Sequence, residues 1–176
     1  MVDEAPPQLD ADTIAFAGRV FDMARAGHAA ELGALIDQGV PANLTNSKGD
    51  TLLILAAYHG HADAVAMLLG KEADPERAND RGQTALAAAA FKGAMPVITL
   101  LLDHGAQVDG GGADGRTALI VATMFDRAEI VDLLLARGAD PDRQDASGLT
   151  AEAAAAKMGA VDAPARIAAW RAREAR

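Results

Sequence analysis

The sequence contains no cysteine and only one tryptophan, one tyrosine and four phenylalanines in 176 residues. Without cysteine there is no disulfide, thiolate nucleophile or thiolate metal ligand, and the redox compartment is left open by this route. Positive charge is scarce as well: 16 lysines and arginines face 25 aspartates and glutamates, a formal net charge of -9. That balance disfavours nucleic-acid phosphates or an anionic membrane surface as partners. Apolar runs such as Leu52 to Ala57 and Ala85 to Ala90 fall far short of the roughly 20 residues a membrane helix needs. Residues 1–12 are acidic and contain proline, with no basic or apolar leader stretch. They are expected to form a disordered tail on a cytoplasmic protein.

What the chain does have is a beat. Gly49, Gly82, Gly115 and Gly148 are each 33 residues apart, and so are Thr51, Thr84, Thr117 and Thr150. Leu53, Leu86 and Leu119 keep the same step, as do the small pairs Ala56-Ala57, Ala89-Ala90, Ala122-Thr123 and Ala155-Ala156. Leu68-Leu69, Leu101-Leu102 and Leu134-Leu135 form a further column. Self-similarity at such a period marks a stacked repeat architecture.

Each unit reads as two helices and a hairpin. The threonines stand where a hydroxyl can accept an orphaned amide at the start of a first helix. Gly60, Gly93 and Gly159 stand where that helix must close in the left-handed conformation. A second helix is predicted through Val65-Leu68-Leu69, Val97-Leu101-Leu102 and Ile130-Leu134-Leu135, with Gly105 and Gly138 ending it. Two short helices cannot bury an apolar stripe by themselves, so neighbouring units must bury it for each other. Alanine supplies much of the 51% hydrophobic content, which suits close helix approaches.

These columns resemble the ankyrin repeat, with its Gly-x-Thr-Pro-Leu-His start, Ala-Ala pair, Gly-His, Val-x-x-Leu-Leu run and Gly-Ala-Asp-x-Asn turn. Residues 46–78 match best and residues 79–111 and 112–144 follow, with atypical end units at 13–45 and 145–176. The resemblance implies an all-α ankyrin-repeat solenoid of about five units spanning residues 13–176. The family's proline is replaced by Leu52, Ala85, Ala118 and Ala151, and its histidine by Ile54, Ala87, Ile120 and Ala153. Glu72 replaces a second-helix glycine and Asp126 a first-helix glycine. A left-handed Glu72 is strained by on the order of 1 kcal/mol. In the last unit Glu152 and Pro164 replace apolar residues. Trp170 is expected to cover the end of the stack, with Arg166, Arg171 and Arg173 facing solvent. Gly110, Gly111 and Gly112 are expected to make the third hairpin the most flexible.

The resemblance also places the last turn of each first helix and the hairpin tips on the concave face. Those helix positions are Tyr58-His59, Phe91-Lys92, Met124-Phe125 and Lys157-Met158. Half-exposed rings at three of them would present on the order of 200 to 400 Å². The alternative is that each ring leans on the next repeat and completes the core. Among the tip residues Ser47, Lys48, Asp50, Asp80, Arg81, Gln83, Asp114 and Arg116, those taken into the binding set are Lys48, Asp50, Arg81, Gln83, Asp114 and Arg116. Together with Tyr58, His59, Phe91, Lys92, Met124 and Phe125 they are the expected partner-binding residues.

No catalytic constellation is present: Asp74, Asp140 and Asp142 recur as turn residues. His28 and His61 occupy the family's structural Gly-His column. His59 and His61 bracket Gly60 without a third ligand, so no metal or cofactor is expected. The leading function is a protein-interaction scaffold or regulator, monomeric, with no enzymatic activity and neither nucleic acid nor membrane as partner. Two alternatives stand beside it. One, by resemblance to small bacterial ankyrin proteins, is an accessory role in catalase or haem maturation through Tyr58 and His59. The other is a homo-oligomeric structural module.

Overall fold

A computed structural model describes residues 10–175, and residues 1–9, the greater part of the expected tail, lie outside them. The described residues form ten helices in five pairs: α1 (Ala11–Ala26) with α2 (Ala29–Asp37), α3 (Leu52–His59) with α4 (Ala62–Gly70), α5 (Ala85–Lys92) with α6 (Met95–Asp103), α7 (Ala118–Met124) with α8 (Ala128–Ala136), and α9 (Ala151–Met158) with α10 (Asp162–Glu174). The α1 helix already starts inside the segment expected to be a tail, because the Asp10 side chain accepts the Thr13 amide at 2.7 Å and caps it. None of the described helices is long and apolar enough to cross a membrane.

The first helices α1, α3, α5, α7 and α9 pack in one row. The second helices line up behind them as α2, α4 and α6, and then α8 and α10. Each first helix opens as its threonine dictates: the hydroxyl oxygens of Thr51, Thr84, Thr117 and Thr150 accept the amides of Ile54, Ala87, Ile120 and Ala153 at 3.0 to 3.3 Å. Leu53, Leu86 and Leu119, with the alanine pairs of α3 and α5, are sealed between the rows. Thr123 takes the second place of its small pair and is fully buried. Its hydroxyl lies 2.9 Å from the Ile120 carbonyl and 3.0 Å from that of Ala151, so it joins α7 to α9.

Polar contacts repeat with the same beat. Asn43, Glu76 and Asp109 accept the backbone amides of Asp74, Gln107 and Asp140 in the next unit at 2.8 to 3.1 Å. His61 reaches back to the Arg25 carbonyl at 2.7 Å, and Arg127, in the same column, reaches the Phe91 carbonyl at 3.3 Å. Glu72 and Asp126 adopt φ of 60° and 53°, the left-handed region that their glycine counterparts occupy.

Three expectations are corrected by packing. The glycine triplet is a site of close approach: a Cβ at Gly112 would fall 2.3 Å from the Gly82 carbonyl oxygen, and one at Gly110 would fall 2.5 Å from the Glu76 carboxylate. The Gly112 amide donates to that same Gly82 oxygen at 3.1 Å, so the third hairpin is pinned on the second. Trp170 lies half-buried in a groove that α10 makes with α8, beside Leu135 and Ala136, since α10 lays its apolar side on α8 rather than across the end of the stack. Of the terminal arginines, Arg173 is exposed as expected, while the other two are also ion-paired. Arg166 bonds Asp132 at 2.9 Å, and Arg171 bonds Asp142 at 2.7 Å and Glu152 at 3.1 Å, which explains the carboxylate in a leucine column.

Candidate functional site

Tyr58 and Phe91, 33 residues apart, stand in the last turns of α3 and α5, and Phe125, one residue beyond the next step, closes α7 beside the equivalent Met124, so that all three rings reach one face. There they pack on one another. Tyr58 and Phe91 are stacked with centroids 5.6 Å apart, and Phe125 meets Phe91 edge-on at 4.6 Å. Both separations lie in the range where aromatic pairs attract. Tyr58 and Phe125 keep 38% and 39% of their surface exposed, while Phe91 between them is half-buried. Both expectations for the rings are thus met in part, since each leans on its neighbour and the ladder still presents a face.

Beside the ladder lies a cavity of about 340 Å³. Tyr58, Phe91, Met124 and Phe125 form its apolar side. Arg81 and Gln83 from the second hairpin and Asp114 and Arg116 from the third form its polar side. Three further lining residues, Gly82, Ala87 and Val121, escaped the sequence reading. Ala87 carried a usable signal, because its column holds isoleucine at Ile54 and Ile120, and the smaller side chain leaves room on the floor.

Four expected residues lie outside the cavity lining. Lys48 and Lys92 are exposed. His59 makes an edge contact with Tyr58 at 5.2 Å and stacks on His61 at 6.1 Å. Burial, then the neighbouring His61, Lys92 and Arg25, hold its imidazole below the ordinary histidine range. Asp50 is placed differently from the expectation: it is only 7% exposed. Its carboxylate accepts Asn79 at 2.7 Å and Asn46 at 3.1 Å, so it ties two hairpins together instead of meeting a ligand.

The hairpins that present Arg81 and Arg116 are built locally. Asn79 Oδ1 accepts the amides of Arg81 and Gln83, each at 3.0 Å, and Asp114 Oδ1 accepts the Arg116 amide at 3.0 Å. Such side-chain turns hold the backbone and leave the guanidinium free to point outward. Chemically the cavity offers ring faces, guanidinium donors, an amide and one carboxylate. Among the described residues no group of three histidine, aspartate or glutamate side chains could hold a metal ion.

A family profile described as ankyrin repeats (3 copies) matches residues 20–110 and 69–145, well over half of the chain. An ankyrin repeat protein of Pseudomonas aeruginosa is 53% identical over 59 residues, a match covering 34% of this chain and 34% of that protein. The chain thus spans about a third of the length of the curated relative it matches.

Proposed function

Since the chain belongs to the ankyrin-repeat family, whose members generally mediate protein–protein contact, we propose that it is a binding scaffold that grips a protein partner on the face formed by its first helices and hairpins. The ring ladder carries this reading. Three consecutive repeats spend their scarce aromatics on one face, and two of those rings remain more than a third exposed although the apolar rows behind them are sealed. Rings placed on a pocket rim beside arginine are the usual makings of a binding hot spot. Tyr58, Phe91, Met124 and Phe125 supply apolar contact, Arg81, Gln83, Asp114 and Arg116 supply direction, and His59, Lys92 and Lys48 extend the contact at its edges. Asp50 keeps the hairpins in register.

The experiment compares affinity capture by the wild-type chain and by the Phe91→Ala/Phe125→Ala variant, followed by titration of the purified captured protein. Binding is expected to be lost while the melting temperature stays within a few degrees. Undiminished binding, or a variant that no longer folds, would return the rings to a purely structural role.

A further inference from the structure

We propose that the groove is made for an acidic peptide segment, in which an apolar side chain enters the aromatic cavity and a carboxylate a few residues away lies between the guanidinium groups of Arg81 and Arg116. This rests on the protein-binding reading above and adds the partner's chemistry.

The arginines carry the inference. Several guanidinium groups elsewhere in the fold are held by close carboxylates, among them Arg137 by Asp103 at 2.9 Å, Arg166 by Asp132 at 2.9 Å and Arg171 by Asp142 at 2.7 Å. At the groove the nearest carboxylates stay beyond hydrogen-bond reach, Asp50 at 3.8 Å from Arg81 and Asp114 at 3.9 Å from Arg116. The Asp50 oxygen nearest Arg81 already accepts Asn79 at 2.7 Å. The Arg81 and Arg116 side chains are 70% and 45% exposed, and both line the cavity that the rings line.

The chain's formal charge is -9, and the hairpins carry Asp80, Asp114 and Asp145 beside their cations, so the attraction for an anion is confined to the two guanidinium groups at the cavity. A short anionic segment can meet those two groups while the acidic surface around them repels an extended polyanion, which separates an acidic peptide from nucleic acid. A planar guanidinium also matches a carboxylate in two parallel, charge-assisted hydrogen bonds, whereas the carbonyl oxygens of a neutral segment accept without charge and one oxygen at a time. At about 340 Å³ the cavity is at the small end of ligand-sized pockets, suited to an anchoring side chain rather than a folded surface.

The test selects displayed random peptides on the full chain and titrates fluorophore-labelled winners against the wild type, Arg81→Gln, Arg116→Gln and Phe125→Ala, with each variant's melting curve recorded. Winners are expected to pair an aromatic or aliphatic residue with aspartate or glutamate. Each arginine variant, folded as the wild type is, should weaken binding about fivefold and flatten its salt dependence, and Phe125→Ala should weaken it regardless of salt. Apolar winners without carboxylates, or winners indifferent to both arginine variants yet weakened by Phe125→Ala, overturn the acidic-peptide proposal and leave the protein-binding face standing. Winners indifferent to all three variants, or no enrichment over a bait-free control, overturn both. Labelled single-stranded oligothymidylate binding through the same arginines more tightly than every winner would replace the peptide with nucleic acid.

Discussion

The Asp126 carboxylate accepts the Ala163 amide at 2.7 Å, so the residue that turns the chain out of α7 also caps α10 in the following repeat. It accepts the Val161 amide at 3.4 Å as well. In the other units this position is glycine, with φ between 74° and 87°. Aspartate gives up that freedom and gains a cap.

The cap makes Asp126 separable into two effects. Asp126→Gly keeps the left-handed turn and removes the cap, whereas Asp126→Ala removes both the cap and the residue type that tolerates the turn. Both variants should lose amide-exchange protection at Ala163, with the alanine variant melting lower. The Ala163 amide, foremost, holds the carboxyl below its ordinary range. Its stabilisation is therefore present above the ordinary carboxylate pKa and lost as pH falls through the depressed folded value. Wild type should lose stability on acidification more steeply than Asp126→Gly, so the two melting temperatures converge in acid; parallel curves would show that the bond contributes nothing.

Glu72 has no such compensation in view. It is exposed at φ 60°, in the column where Gly105 and Gly138 both sit at 88°. Glu72→Gly should raise stability by about 0.5 to 1 kcal/mol after glycine's greater freedom in the unfolded chain is discounted. A denaturant melt reads this directly, and a loss of stability would mean that the carboxylate has an unrecognised partner.

Gly112 and Gly18 make an opposed pair. Alanine at Gly112 would place its Cβ 2.3 Å from a backbone oxygen, so the second and third hairpins must part, at a loss of about 1 to 3 kcal/mol. Alanine at Gly18 in α1 meets nothing within 4 Å and should add about 1 kcal/mol of helix propensity. Equal, small effects at both sites would mean that the glycine triplet is a loose linker after all.

Thr123 offers a shape-conserving probe of the inner row. Thr123→Val keeps the volume but removes the hydroxyl that joins α7 to α9 at Ala151, and should lower stability by about 0.5 to 1.5 kcal/mol. Thr123→Ala, which also opens a cavity, should lose more; a neutral valine variant would assign the site to packing alone.

Much of the candidate site was legible in one dimension. Tyr58 and Phe91 could be aligned because the repeat contains no insertion, and alignment within one period means one face; Phe125 lies one residue beyond that step, and the edge-on packing of its ring on Phe91 belongs to the tertiary structure. Asp50 was misjudged by the same logic: hairpin position predicts exposure, but the neighbouring hairpin brings Asn79 close enough to bury its carboxylate. The glycine triplet failed similarly. Local flexibility was read from composition, whereas the missing side chains admit the Gly82 backbone.

The sequence by itself determined the repeat, the paired helices, the threonine caps and the left-handed turns at Glu72 and Asp126, because each depends on residues within one unit or on the strict step between units. Only the tertiary structure decided which arginines are consumed by carboxylates and which remain open, how the rings stack, and which amide Asp126 caps. Those outcomes depend on side chains about one repeat apart meeting across a stack, and a distance of a few tenths of an ångström between bonded and unbonded is not encoded in the spacing of letters.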